Sequence, residues 1–583
     1  MSEKNIEAKE TQVGNLFSEN FLFNIPIYQR PFSWSEENFD QLFQDVLDSL
    51  NRQEDYFLGS LLLQQYSSNQ YDLVDGQQRM TALTILLAVI RDRTDNVDLK
   101  ESIQSYIYQK EDKYKRLPEA MRVSPWQELK ELFRQYVYFP GGTKKFLEDF
   151  KEGKIHRADE EDPRYHLWEA IDVFNRKVSE ITNFESFVTH MLLNIYVVYI
   201  KTSNLTSAFR LFNVMNTRGL SLDASDILKS ENLGSIEDDQ MKEEYAKKWR
   251  TIEEEMGREE LANIIAYIRT IKKKEKAKLG MYEEYQEIFK NSLLEKGTKF
   301  VDYVKEIADI YDEKILSAEL KSMDSEQKNR YHIIVDLMHR FIPFSDWIPS
   351  LLAFCYKFRS DNYLLDFVLK LEKKVIIEWA AGFSATERIT SLGRTIKMIE
   401  EMDDAKEAVD KMLTWKTEED TRSRVIDFSN NEGVKNYLKS KLDDVRFYSL
   451  YGGRFAKYTL LRADMELWDL ENFSGYPGVV TVEHVLPQKP PEDSEWLLLF
   501  NEKERWDWTN RLGNLVLLSG RKNSRAQNYD FNKKKDIYFK EKSTPFKITQ
   551  EFQNVAKWNP ESLQNRHTTL ISKVIDIYFG QVI

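Results

Sequence analysis

A single cysteine, Cys355, serves a chain of 583 residues. That excludes an intrachain disulfide and any zinc or iron–sulfur site built on several cysteines. Its apolar surroundings, residues 350–358, mark it as a small buried hydrophobe. Histidines number only seven, so a metal site would have to lean on carboxylates, amides and water. Gly (21) and Pro (14) are too sparse for collagen-like or low-complexity sequence. Aromatics, at 13%, are too many for a disordered chain. The longest apolar runs, such as residues 191–200, fall far short of the roughly 18 residues of a membrane span. The opening MSEKNIEAKE has no apolar centre of the kind a signal peptide needs, so a cytoplasmic protein without membrane association is expected. Positive charge is not in surplus. Lys and Arg total 83 against 96 Asp and Glu, a net of −13. A protein coating nucleic acid over its whole surface is excluded; a local basic groove is not.

What is present reads as an α+β multidomain chain, predominantly helical, with about two to four domains' worth of length. Residues 1–232 form a mixed α/β region. Apolar, β-prone residues 21–27 run into Tyr28, Gln29 and Arg30. A helix is predicted over 36–50, with Phe39, Leu42, Phe43, Val46 and Leu47 on one face. Strands follow at 57–65 and 71–74, then a long apolar helix from near Met80. Residues 91–190 read as a charged helical insertion, followed by a strand at 195–201 and helices at 207–216 and after Asp226. Residues 233–470 are helical throughout, with Glu and Lys runs that suit solvated faces. Residues 471–583 return to strands, at 479–482 and 512–518, and a helix at 521–540.

The last region carries a strand ending in Glu483-His484, then Pro487, then Gly513-Asn514-Leu515, with Asn523 nine residues beyond Asn514. Such a layout suits metal-assisted phosphodiester hydrolysis. A histidine can take a proton from water near neutral pH. Glu483 and Asn523 offer the hard oxygen donors that Mg²⁺ or Mn²⁺ accept, and Asn514 could hold the histidine loop or orient the ring. Between 519 and 548 nine Lys/Arg face three acids. The six in 521–535, Arg521, Lys522, Arg525, Lys533, Lys534 and Lys535, are the candidate DNA contacts. The constellation resembles the HNH, or ββα-metal, nucleases, with Asn523 where that family usually has its third histidine. The resemblance implies catalytic roles for His484, Asn514 and Asn523, and metal ligation by Glu483 and Asn523.

Three polar motifs punctuate the first region: Ile25-Pro26-Ile27-Tyr28-Gln29-Arg30, Asp75-Gly76-Gln77-Gln78-Arg79, and residues 213–219, NVMNTRG, containing Asn213 and Arg218. No P-loop signature occurs. Backbone N–H groups after Asp75-Gly76, at a helix start, suit phosphate; Arg79 can pair with phosphate, and a glutamine can orient water. In this order the motifs resemble a bacterial family with a ParB/sulfiredoxin-like domain. Members fused to an HNH domain are GmrSD-type, modification-dependent (type IV) restriction endonucleases. The resemblance implies a nucleotide site (GTP, ATP or another NTP) at Tyr28, Arg30, Asp75, Gly76, Gln77, Gln78, Arg79, Asn213 and Arg218. It also implies double-stranded, modified phage DNA as substrate, and it allows a homo-oligomer. Two other readings stay open: a nucleotide-gated, ParB-like DNA-binding protein without cleavage, and an HNH ribonuclease or toxin.

Overall fold

The computed structural model describes residues 6–26, 32–125, 129–155, 163–202, 224–415, 426–473, 475–476, 478–539 and 543–580. The chain divides into two compact units, 1–249 and 250–583. The helical stretch beyond 250 and the C-terminal strands therefore fall in one unit.

The first unit is built on a mixed six-stranded sheet. Its strands are β1 (Ile6–Gln12), β2 (Leu22–Asn24), β3 (Tyr56–Gln65), β4 (Gln70–Asp75), β5 (Val123–Ser124) and β6 (Ile195–Thr202). They lie in the order β1-β6-β3-β4-β2-β5. β3 pairs antiparallel with β4 and parallel with β6. Edge strand β1 was not foreseen. Its residues are mostly polar and exposed, so it carries no apolar signal; it is held by antiparallel pairing to β6. Helix α1 (Glu36–Arg52) buries Phe39, Leu42, Phe43 and Val46, and Ser35 and Asn38 close a capping box at its start. Helix α2 (Gln77–Arg93) is different. Every residue from Met80 to Asp92 is buried, as expected of a helix covered on all sides. Even its charged end is internal: Arg91 pairs with Asp92 at 2.8 Å, and Asp92 accepts from the N–H groups of Gly141 and Thr143 at the start of another helix.

Much of the second unit is helical. Three of its helices, α3 (Leu364–Ala380), α4 (Arg454–Met465) and α7 (Pro560–Phe579), meet at one buried carboxylate. Glu372 accepts from Tyr458 Oη at 2.8 Å, Arg462 Nε at 3.0 Å and Tyr578 Oη at 3.1 Å. Arg462 also bonds Glu466, which pairs with Arg330. This knot accounts for Tyr and Arg in the sequence Tyr458-Thr459-Leu460-Leu461-Arg462.

β7 (Val480–His484) and β8 (Leu515–Ser519) form an antiparallel pair in which His484 faces Leu515 and Glu483 faces Val516. β8 starts later than the predicted 512. Residues Leu512–Asn514 make a 3₁₀ turn, because Gly513 lies flat against α7; a Cβ there would sit 2.5 Å from that of His567. The helix predicted over 521–540 is two: α5 (Gly520–Ala526) and α6 (Phe531–Phe539). Gln527, with φ at 42°, breaks it.

Candidate active site

His484 ends β7, and its side chain is buried in a polar niche. Its Nε2 lies 3.2 Å from Asn510 Oδ1 and 3.4 Å from Gln488 Nε2; the Tyr448 ring packs edge-on at 4.3 Å. An amide oxygen only accepts, so Nε2 carries the proton and Nδ1 holds the lone pair. Burial pushes His484 down to about 4; the bond to Asn510 opposes this and the Lys534 charge adds to it. At neutral pH the ring is therefore an uncharged base.

Adjacent strand positions point to opposite faces, so Glu483 turns toward α6. Its Oε1 accepts from Lys534 Nζ at 2.6 Å, and the same ammonium donates to the His484 carbonyl oxygen at 2.6 Å. Burial pushes the Glu483 carboxyl up and the Lys534 ammonium down, and each partner's charge opposes the shift. The buried Tyr538 hydroxyl, one turn along α6, is raised well above its ordinary value by burial and by the Glu483 charge.

Asn514 is completely buried and uses its whole carboxamide on the protein. Oδ1 accepts from Leu486 N (2.8 Å) and Trp558 Nε1 (3.2 Å); Nδ2 donates to the carbonyls of Leu486 and Thr509, both at 2.8 Å. It thus clamps the loop behind His484. That is the loop-holding role its position suggested, and its hydrogen-bonding capacity is taken up by the protein. Asn523, on the first turn of α5, approaches the Val482 carbonyl with Nδ2 at 3.5 Å. Its amide stands beside the strand that carries Glu483.

The basic cluster divides in two. Arg521, Arg525 and Lys533 are exposed, Lys533 with its ammonium 3.4 Å from the Tyr529 ring centre. Lys522 instead caps α6 by donating to the carbonyls of Ile537 and Tyr538. Lys535 donates to those of Gln553 and Val555. Lys534 is 0% exposed. Burial removes Lys534 from the expected set of DNA contacts, while Lys522 and Lys535 are half-buried and tied to main-chain carbonyls. Asn510, Gln488 and Tyr448 were missed. No motif marks them; only the folded loop brings them to the histidine.

Among the described residues no group of three or more His, Cys, Asp or Glu converges to hold a metal. The oxygen donors near the end of β7 are the Glu483 carboxylate, held by Lys534, and the Asn523 amide beside the strand. Hard oxygen donors in that number fit Mg²⁺ or Mn²⁺ better than zinc.

In the first unit, β4 delivers Asp75 and Gly76 to the start of α2. Gly76 has φ of 88°, and a Cβ there would strike the Leu61 side chain at 2.1 Å. The Arg79 guanidinium donates to the carbonyls of Leu58 (3.0 Å) and Ser60 (2.8 Å) and lies 3.5 Å from Asp75. Those carbonyls flank Gly59, where the pairing of β3 with β6 shifts register. Burial raises Asp75 and lowers Arg79, each opposed by the other's charge. Gln78 Oε1 accepts from Ser33 N at 3.0 Å. Gln77 and Gln78 line a shallow recess, with room for about one water, together with Ile25, Phe32, Thr81, Pro125 and Leu129. The buried Gln77 Oε1 has no hydrogen-bond partner among the described residues. Tyr28, Arg30, Asn213 and Arg218 lie outside the described residues.

Comparison with known families defines the class: a restriction endonuclease in two parts. Residues 13–233 match the GmrSD restriction endonuclease, N-terminal domain, and residues 433–573 match the GmrSD restriction endonucleases, C-terminal domain. The chain belongs to the GmrSD family of type IV restriction endonucleases. No curated protein compared with the chain matches it. Among the described residues no helix is long and apolar enough to cross a membrane.

Proposed function

We propose that the chain is a metal-dependent DNA endonuclease with an HNH-type site, directed at modified phage DNA and controlled by a nucleotide bound in its first unit. The observation that carries the reading is the end of β7. There a neutral histidine has its tautomer set by Asn510, its loop clamped by Asn514 and a carboxylate next to it.

His484 Nδ1 takes the proton of the attacking water, with Nε2–H anchored on Asn510. The Tyr448 ring packs against the imidazole, and Gln488 donates to the same Asn510 oxygen, which holds that acceptor in place. Glu483 and Asn523 would hold a divalent ion, which supplies Lewis-acid stabilisation of the charge developing on phosphate. Arg521, Arg525 and Lys533 contact the DNA backbone.

In the first unit, the N-terminal backbone of α2 takes the phosphates of the nucleotide, beside Gln77 and Gln78. Gln78 orients the hydrolytic water. Arg79 acts differently from a free phosphate ligand, since two carbonyls already hold it; it keeps β3 and the Asp75 turn in place.

The test is incubation of the full chain with plain plasmid, modified phage DNA and RNA, with Mg²⁺ or Mn²⁺, with and without GTP or ATP. Metal-dependent cleavage confined to modified DNA and altered by nucleotide supports the proposal. Cleavage of RNA alone favours the ribonuclease reading, and DNA binding without cleavage favours the clamp.

A further inference from the structure

Lys534 is the one member of the basic cluster that lies inside the site. Its ammonium is 0% exposed and donates to both a side chain and a main-chain atom of consecutive residues, Glu483 Oε1 and His484 O, each at 2.6 Å. It sits on α6, 51 residues beyond Glu483, so the contact exists only through the fold. Two consequences follow. The bridge fixes the carboxylate relative to the histidine it precedes. It also offsets the formal negative charge of Glu483, and among the described residues no group of three or more His, Cys, Asp or Glu gathers there.

We propose that Lys534 is a positioning residue that makes metal uptake depend on DNA. This role rests on the reading of Glu483 as a metal ligand. With Lys534 paired to Glu483, the protein alone presents a site of no net charge, which holds a divalent ion weakly. A DNA phosphate brought in by Arg521, Arg525 and Lys533 adds the missing negative charge, and the ion then binds tightly. Metal and DNA affinities are thus coupled, each raising the other by the same factor. A cation buried beside the ion's seat also repels it, far more strongly than a surface lysine would. The nuclease centre is thereby kept unloaded until substrate is on it.

The experiment measures free Mn²⁺ by electron paramagnetic resonance with the full chain, in a His484→Ala background that leaves DNA intact, with and without a short duplex of modified phage DNA. DNA should tighten Mn²⁺ binding by about 5–150-fold, the usual span of such couplings. Lys534→Met should tighten DNA-free binding by about tenfold or more and shrink the gain from DNA. Lys534→Arg, which keeps the charge, should retain weak DNA-free binding. A folded Lys534→Met protein with unchanged or weaker DNA-free affinity overturns the inference. Should Lys534→Met fail to fold, Mn²⁺ affinity that DNA does not alter, in the His484→Ala protein itself, overturns it equally. Glu483→Gln separates the two layers. Mn²⁺ binding that survives Glu483→Gln removes the metal site and the inference together. Binding lost in Glu483→Gln but untouched by Lys534→Met removes the inference alone.

Discussion

The carboxamide of Asn514 closes a two-bond ring with the backbone of Leu486, accepting from its N–H and donating to its C=O, both at 2.8 Å. Leu486 is two residues past His484, so one buried side chain sets the path of the loop that leaves the base. Asn514→Ala would strand the Leu486 and Thr509 carbonyls, the Leu486 N–H and the Trp558 indole in a dry core. Each unsatisfied group costs about 1–3 kcal/mol. We expect a loss of roughly 3–5 kcal/mol in unfolding free energy, read by chemical denaturation. Asn514→Asp keeps the acceptor but turns a buried carboxylate oxygen onto the Leu486 and Thr509 carbonyls, so it should lose at least as much. An Ala variant as stable as wild type would show that water replaces the amide.

The exposed cations and the buried or half-buried ones should behave differently. Reversing Arg521, Arg525 and Lys533 to Glu should weaken DNA binding irrespective of sequence. The slope of log K against log salt should flatten by up to about 2.7, at about 0.9 per phosphate contact. Folding should be intact, since these side chains are exposed. The check is a salt series with modified and plain DNA. An unchanged slope would place the DNA path elsewhere.

His484 should also leave a mark on stability. Its ordinary value of 6.5 falls to about 4 in the folded chain. Below 6.5 the unfolded chain takes up a proton that the folded chain refuses, so stability is lost as pH falls from about 6.5 to about 4. The full effect is on the order of 3 kcal/mol, at 1.36 kcal/mol per pH unit. In His484→Asn this loss should vanish, so the variant gains on wild type as pH drops from 7 to 4. Parallel melting curves across that range would show an imidazole that titrates normally.

In the first unit, Gln78→Ala should abolish nucleotide hydrolysis with little change in melting temperature. Arg79→Ala should abolish it and also destabilise the fold by about 1–3 kcal/mol, because the carbonyls of Leu58 and Ser60 lose their donor. Phosphate-release assays and thermal unfolding of the two variants separate the roles. Hydrolysis at wild-type rate in both would reduce residues 75–79 to a strand-to-helix turn.

Periodicity made much of this legible. The amphipathic face of α1 and the β-branched run of β6 are local signals, and both elements lie where the pattern puts them. The Glu483-His484 and Asn514 spacings were equally visible, because they sit on one short stretch of chain. What escaped the sequence is what the fold brings from afar. β1 is polar, and only its pairing with β6 makes it a strand. The helix break at Gln527 needs a left-handed backbone at a residue that carries no turn signature. Lys533, Lys534 and Lys535 look alike as a run, yet one is exposed, one is buried on Glu483 and one ties down a loop. Charge alone does not tell a DNA contact from an internal cation.

Whether His484 is the base of a DNA-cleaving centre is decided by a single pair of reactions. Wild type and His484→Ala are incubated with modified phage DNA and Mn²⁺, with nucleotide present, and nicks are counted over time. Loss of a general base should slow cleavage by about 10²–10⁴-fold, with nucleotide hydrolysis preserved. Cleavage by the purified variant at the wild-type rate would show that His484 is not the base.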